Sequence, residues 1–114
     1  MMSKKKSTSV RLTNDLKKRI LSRVINEDYG MRGRSRWIEE AIDEFLKSSD
    51  YPDIVNWDLT KDSNEPIETV SLLFMESTLF ALDKAVIEVR KKFPAKEGVK
   101  ASIIRSAIIH RLFK

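Results

Sequence analysis

Residues 7–20, STSVRLTNDLKKRI, change their hydrophobic period partway along. Through Ser9, Val10, Arg11, Leu12 and Thr13, polar and apolar side chains alternate, as in a short strand with one covered face. From there the period becomes helical, with Leu16, Ile20 and Val24 on one side. A short lone strand carries unpaired backbone donors and acceptors, so it must find a partner. The partner in this chain is the other strand-like run, ETVSLLFM at residues 68–75. Two strands are marginal in water, so amphipathic helices must bury the inner face of such a ribbon. Period two then predicts Val10 and Leu12 inward, with Ser7, Ser9 and Arg11 outward. In the second strand it predicts Val70, Leu72 and Phe74 inward, leaving Thr69, Ser71 and Leu73 outward.

The helices follow from the same pattern. Thr13 or Asn14 can cap the first, with Asp15 suiting its positive end. Leu16, Ile20, Leu21, Val24 and Ile25 are expected on its core side, and it stops near Gly30. After the basic loop MRGRSR, Trp37, Ile38, Ala41, Ile42, Phe45 and Leu46 make a wide apolar stripe, opposite Glu39, Glu40, Asp43 and Glu44. The breakers KSSDYP end that helix. Leu79, Leu82, Val86 and Val89 predict a third helix up to Pro94, and Ile103, Ile104, Ala107, Ile108 and Leu112 a last one.

The two halves also match each other. A shift of 62 places Ser9, Val10, Leu12, Ile20 and Val24 on Ser71, Leu72, Phe74, Leu82 and Val86. A shift of 66 places Trp37, Ile38, Ala41, Ile42 and Leu46 on Ile103, Ile104, Ala107, Ile108 and Leu112. The difference falls between two helices, where insertions are tolerated best. Leu16 falls on Thr78, a poor match. The expected organisation is a basic tail at 1–6, a first unit at 7–50, an acidic linker at 51–66 and a second unit at 67–114. The linker has little periodicity, although Ile54 and Trp57 can pack on the body.

Charge is distributed by the same boundaries. The chain of 114 residues carries a formal +5, with +4 on residues 1–50, −3 on 51–66 and +4 on 67–114. Two basic blocks around an acidic connector suit a polyanionic partner. Hydrophobic residues make up 41% of the chain, enough for a core, but units of about 50 residues bury too little surface alone and have to pack together. There is no cysteine, hence no disulfide framework and no thiolate metal site. No apolar run follows the basic start and none approaches a membrane span, so a cytoplasmic, nucleoid-associated protein without membrane contact is expected.

STSVRLTNDLKKRI, followed by SRWIEEAIDEFL with its Ala41–Ile42 pair, resembles the ribbon-helix-helix family of DNA-binding proteins, the class containing the Arc and MetJ repressors. Family members usually supply one unit per chain and dimerise. Two units in one chain resemble the tandem arrangement of TraY-type relaxosome proteins. The resemblance implies a mainly α fold with a short two-stranded antiparallel ribbon, the two units forming a pseudo-twofold module. It further implies that the ribbon enters the major groove of double-stranded DNA, where base edges present a distinct pattern for each pair. Ser7, Ser9, Arg11, Thr69, Ser71 and Leu73 would then read bases. Arg11 can bind guanine, whereas Leu73 offers only an apolar contact, so the two strands would read different sequences.

Phosphates would be held at the starts of the second helices, by Arg34, Ser35 and Arg36 and by Lys100 and Ser102, with Lys4, Lys5 and Lys6 of the tail tracking the backbone. The expected role is a transcriptional regulator or an accessory protein of a plasmid or conjugative DNA-processing complex. Further partners would be copies of itself on adjacent sites, or a relaxase or other protein. The alternative is an antitoxin-like protein-interaction factor on the same fold. No enzyme, cofactor or metal is expected: His110 has no carboxylate or cysteine pattern beside it, and no glycine-rich phosphate loop or nucleophile motif occurs.

Overall fold

A computed structural model describes residues 5–30, 33–56 and 66–113. In chain order these form β1 (Lys5–Thr13), α1 (Asn14–Asn26), α2 (Arg34–Leu46), α3 (Tyr51–Asn56), β2 (Ile67–Met75), α4 (Glu76–Lys92) and α5 (Val99–Leu112). The protein is therefore mainly helical, with one two-stranded antiparallel sheet of β1 and β2. The order strand, helix, helix occurs twice, with α3 between.

Register follows the alternation. Ser9 stands opposite Ser71, Arg11 opposite Thr69 and Ser7 opposite Leu73. Val10 and Leu12 of β1, and Val70, Leu72 and Phe74 of β2, are buried beneath the ribbon. The helices fill the space below them. Trp37, Ile38, Ala41, Ile42 and Phe45 of α2 and Ile103, Ile104, Ala107 and Ile108 of α5 are all buried in one core with the strand side chains. Fully burying a large apolar side chain stabilises by about 1.5–3 kcal/mol, so this shared layer and not the ribbon's own hydrogen bonds holds the two strands together.

Each strand passes into its helix without a loop. At the first junction Thr13 is extended, and its side-chain oxygen accepts from Leu16 N–H at 3.2 Å, closing the first turn of α1. At the second junction the cap position is Met75, which has no side-chain acceptor. Glu39 of α2 holds this junction in another way. Its Oε2 accepts from Met75 N–H at 2.8 Å and from the Thr78 hydroxyl at 2.7 Å.

Several expectations are corrected. Lys5 and Lys6 belong to β1 and not to a tail, because β2 continues to Met75 and gives them partners. Leu21 and Ile25 are 50% and 53% exposed. Successive helix residues lie 100° apart, so the stripe of Leu16, Ile20 and Val24 leaves both pointing outward. Glu39 and Glu40 are half-buried, whereas Asp43 and Glu44 are exposed. The segment 51–66, read as a linker, begins with α3. That helix buries Val55, rests Tyr51 and Ile54 on the core, and ties Asp53 to Lys92 of α4 at 2.8 Å. The predicted packing of Trp57 lies outside the described residues.

A charged cluster closes one end of the core. The Arg111 guanidinium of α5 lies 4.6 Å from the centre of the Trp37 ring. It donates to Trp37 O at 2.7 Å and to Tyr29 Oη at 2.9 Å, and lies 3.4 Å from Glu27 Oε1. Glu27 also receives the Arg23 Nε–H and the Trp37 indole N–H. The hydrogen bond from Arg23 is the main cause holding the Glu27 carboxyl below the usual carboxylate range, against a smaller opposing effect of burial.

Candidate nucleic-acid interface

Because strand side chains alternate, the face of the ribbon opposite the core is a separate surface. It carries Lys5, Ser7, Ser9 and Arg11 on β1, facing Met75, Leu73, Ser71 and Thr69 on β2, and all eight are exposed. The N–H groups of Leu73 and Met75 point away from β1, since side chains of α2 accept from them. The pairs on this face are therefore the non-hydrogen-bonded kind, with Cα atoms about 4.5 Å apart and side chains close together. Successive pairs stand about 6.7 Å apart along the ribbon. The result is a narrow row of short hydroxyls with an arginine near one end and a leucine near the other.

Helix starts flank this row. Along β2, Ser35 Oγ accepts from Leu73 N–H at 3.0 Å, and Arg34 Nη2 donates to Ser71 O at 3.2 Å. Along β1, Arg105 of α5 donates from Nη1 to Arg11 O at 3.4 Å. The first turns of α2 and α5 thus sit at opposite edges of the ribbon. In each, the first helical bond goes back to a glycine, Trp37 N–H to Gly33 O and Ser102 N–H to Gly98 O. The three N–H groups before it in each helix have no intrahelical acceptor. Neither helix has a side-chain cap or an acidic residue in its first turn. By contrast, α1 and α4 carry Asp15 and Glu76 there. Two positive helix ends with no carboxylate in their first turns therefore stand beside the ribbon, and Glu97 directly precedes the Gly98 cap of α5. Gly98 has φ 62°, a left-handed conformation that allows the loop to turn straight into α5 and that a side chain would strain.

The residues expected to hold phosphate are placed differently from one another. Lys100 and Arg36 are exposed at the two helix starts, and Arg36 also approaches Glu40 at 3.5 Å. Arg34 and Ser35 hold the edge of β2, although a hydroxyl that accepts one bond can still donate another. Ser102 is only 1% exposed, with its Oγ toward Arg105 at 3.4 Å. It lies on the inner side of α5, so phosphate contact is withdrawn for its side chain. Lys5 lies in the outer row opposite Met75, and Lys6 approaches Glu76 at 3.7 Å. Lys4 lies outside the described residues.

Arg105 was missed in the sequence. Its signal was its position four residues after Ala101, on the turn of α5 that faces the ribbon edge. A shallow cleft joins the ribbon to the start of α5, and its lining includes Arg11 and Arg105 together with the carboxylate-bearing Glu97. His110 is exposed on the outer side of α5, its ring 5.7 Å from that of Phe45. Among the described residues no group of three or more His, Cys, Asp or Glu can hold a metal ion, and no helix is long and apolar enough to cross a membrane.

A scan against protein-family models found no match, and searches of curated proteins and of solved structures found none either.

Proposed function

We propose that this chain is a sequence-specific double-stranded DNA-binding protein of the ribbon-helix-helix class, with two units in one chain forming a pseudo-twofold module. One observation carries the reading. The helices are packed on the inner face of a two-stranded ribbon whose outer face is exposed among the described residues, between two helix starts whose first turns carry no acidic residue. A major groove about 12 Å wide admits such a ribbon, and the phosphates on either side then meet the starts of α2 and α5. Ser7, Ser9, Arg11, Thr69, Ser71 and Leu73 face the bases. Lys100, Arg34 and Arg36, with the first-turn N–H groups, hold the backbone. Binding of this kind serves transcriptional regulation or an accessory role in plasmid or conjugative DNA processing.

The test is titration of a labelled random-sequence duplex at several salt concentrations, followed by selection of bound sequences. Affinity should fall with salt by about 0.9 in the log–log slope for every phosphate neutralised, and one sequence should be enriched. Absence of duplex binding at low salt would refute the proposal.

A further inference from the structure

The register of the ribbon sets its two ends against each other. Ser9 and Ser71 are opposite, Arg11 and Thr69 form the next pair on one side, and Ser7 and Leu73 the next on the other. A twofold axis between Ser9 and Ser71 brings Arg11 onto Leu73 and Ser7 onto Thr69. The backbones of both positions are held at the ribbon edges, though by different groups, Arg11 through its carbonyl by Arg105 and Leu73 through its N–H by Ser35. Their side chains are chemically opposite. Arg11 is exposed and makes no ion pair among the described residues. Leu73 is 53% exposed, with Met75 exposed beside it, while the core is served by Leu72 and Phe74 on the other face. What distinguishes Leu73 from other exposed apolar side chains such as Leu21 and Ile25 is its place in the outer row of the ribbon, at the position that the twofold relates to Arg11.

We infer that the ribbon reads duplex DNA in a single orientation, Arg11 setting a guanine in one half-site and Leu73 setting a thymine in the other. The inference rests on the DNA-binding reading above. A guanidinium donates two parallel bonds to guanine O6 and N7, and its five donors match no other base edge as well. Leucine has no donor or acceptor. Against the C5-methyl of thymine it buries apolar surface, whereas against a cytosine amino group or guanine O6 it strips water from a polar atom and returns nothing. The two positions stand about 13 Å apart along the ribbon, on either side of its centre, and so address different half-sites. The bound site is therefore directional and not palindromic.

The experiment is selection from a random duplex pool with the full chain, its Leu73→Arg variant and its Leu73→Ala variant. The unaltered chain should enrich a non-palindromic site. Replacing its guanine should weaken binding on the order of tenfold to a hundredfold, and replacing its thymine about fourfold. Leu73→Arg should enrich a palindromic site with guanine in both halves, and Leu73→Ala should lose the thymine preference alone. Both variants alter an exposed side chain. A palindromic site for the unaltered chain, or an unchanged site for Leu73→Arg, overturns directional readout while leaving DNA binding in place. Failure of the unaltered chain to bind any duplex is a different result, and overturns both readings together.

Discussion

Arg111 offers a quantitative test of how the core is closed. Its side chain is 15% exposed, and methionine keeps its stem while deleting the guanidinium. The variant loses the charge-assisted bond to Trp37 O at 2.7 Å and the stacking on the Trp37 ring at 4.6 Å. The first is worth about 1.5–3 kcal/mol and the second about 1–2 kcal/mol. Glu27 keeps Arg23, so no carboxylate is left unpaired and the larger penalty for an orphaned buried charge does not apply. Because the two contacts share one group they do not add fully, and about 3 kcal/mol is the expected loss. With an unfolding entropy of about 2.1 cal/mol/K per residue, that lowers Tm by roughly 12 °C. Thermal unfolding followed by circular dichroism reads this directly, with Arg90→Met on the exposed side of α4 as the reference. Under the proposed repeat, Arg23, Glu27 and Arg111 correspond to Ala85, Val89 and Phe45, all buried. Arg23→Ala, Glu27→Val and Arg111→Phe together should recover stability close to the original, since a well-packed apolar set can replace a charged one. If Arg111→Met changes stability no more than Arg90→Met, the cluster does not hold that end of the core.

Other expectations concern junctions and charge. Glu39→Ala removes the acceptor for Met75 N–H and Thr78 and should cost about 1–2 kcal/mol in urea unfolding, whereas Asp43→Ala on the exposed face should cost under about 0.5 kcal/mol. Glu27 has a depressed folded-state pKa, so its contribution is complete above the usual carboxylate range and disappears as pH falls through the depressed value. Unfolding titrations should therefore show a loss of stability on the acid side that is smaller in Glu27→Gln. Lys100→Ala should lower affinity for all duplexes alike and reduce the salt slope by about 0.9, with the selected sequence unchanged.

What the sequence made legible was whatever a period could carry. Alternation placed Val10, Leu12, Val70, Leu72 and Phe74 inward and paired the two runs, because a slip of one residue would turn the apolar set of the slipped strand to solvent. The stripe of α2 was equally readable, since Trp37 through Phe45 fill more than two turns. Less was legible where a contact came from elsewhere in the fold. The helix α3 has six residues, too few for a period to register. Leu21 and Ile25 are as apolar as their neighbours, and only the packing of α2 and α5 decides which side of α1 is covered. Glu39 ties the β2–α4 junction from 36 residues away, through Met75 N–H and the Thr78 hydroxyl, a contact that no local pattern announces. A shift of 66 places Arg111 against Phe45, and a charge at the position matched to a core side chain was the available sign of a partly buried ion cluster. For the candidate interface, the outward row was read correctly as a set of positions, while Ser102 failed because a helix start has an inner side as well as an outer one.

The central claim is that the outer ribbon face occupies the major groove. Methylation protection by dimethyl sulfate on a selected duplex tests it most directly, because guanine N7 lies in the major groove and adenine N3 in the minor groove. The bound protein should shield guanine N7 within the site and leave adenine N3 reactive, and Arg11→Ala should lose the shielding at one guanine. Shielding of adenine N3 with guanine N7 fully reactive would contradict it.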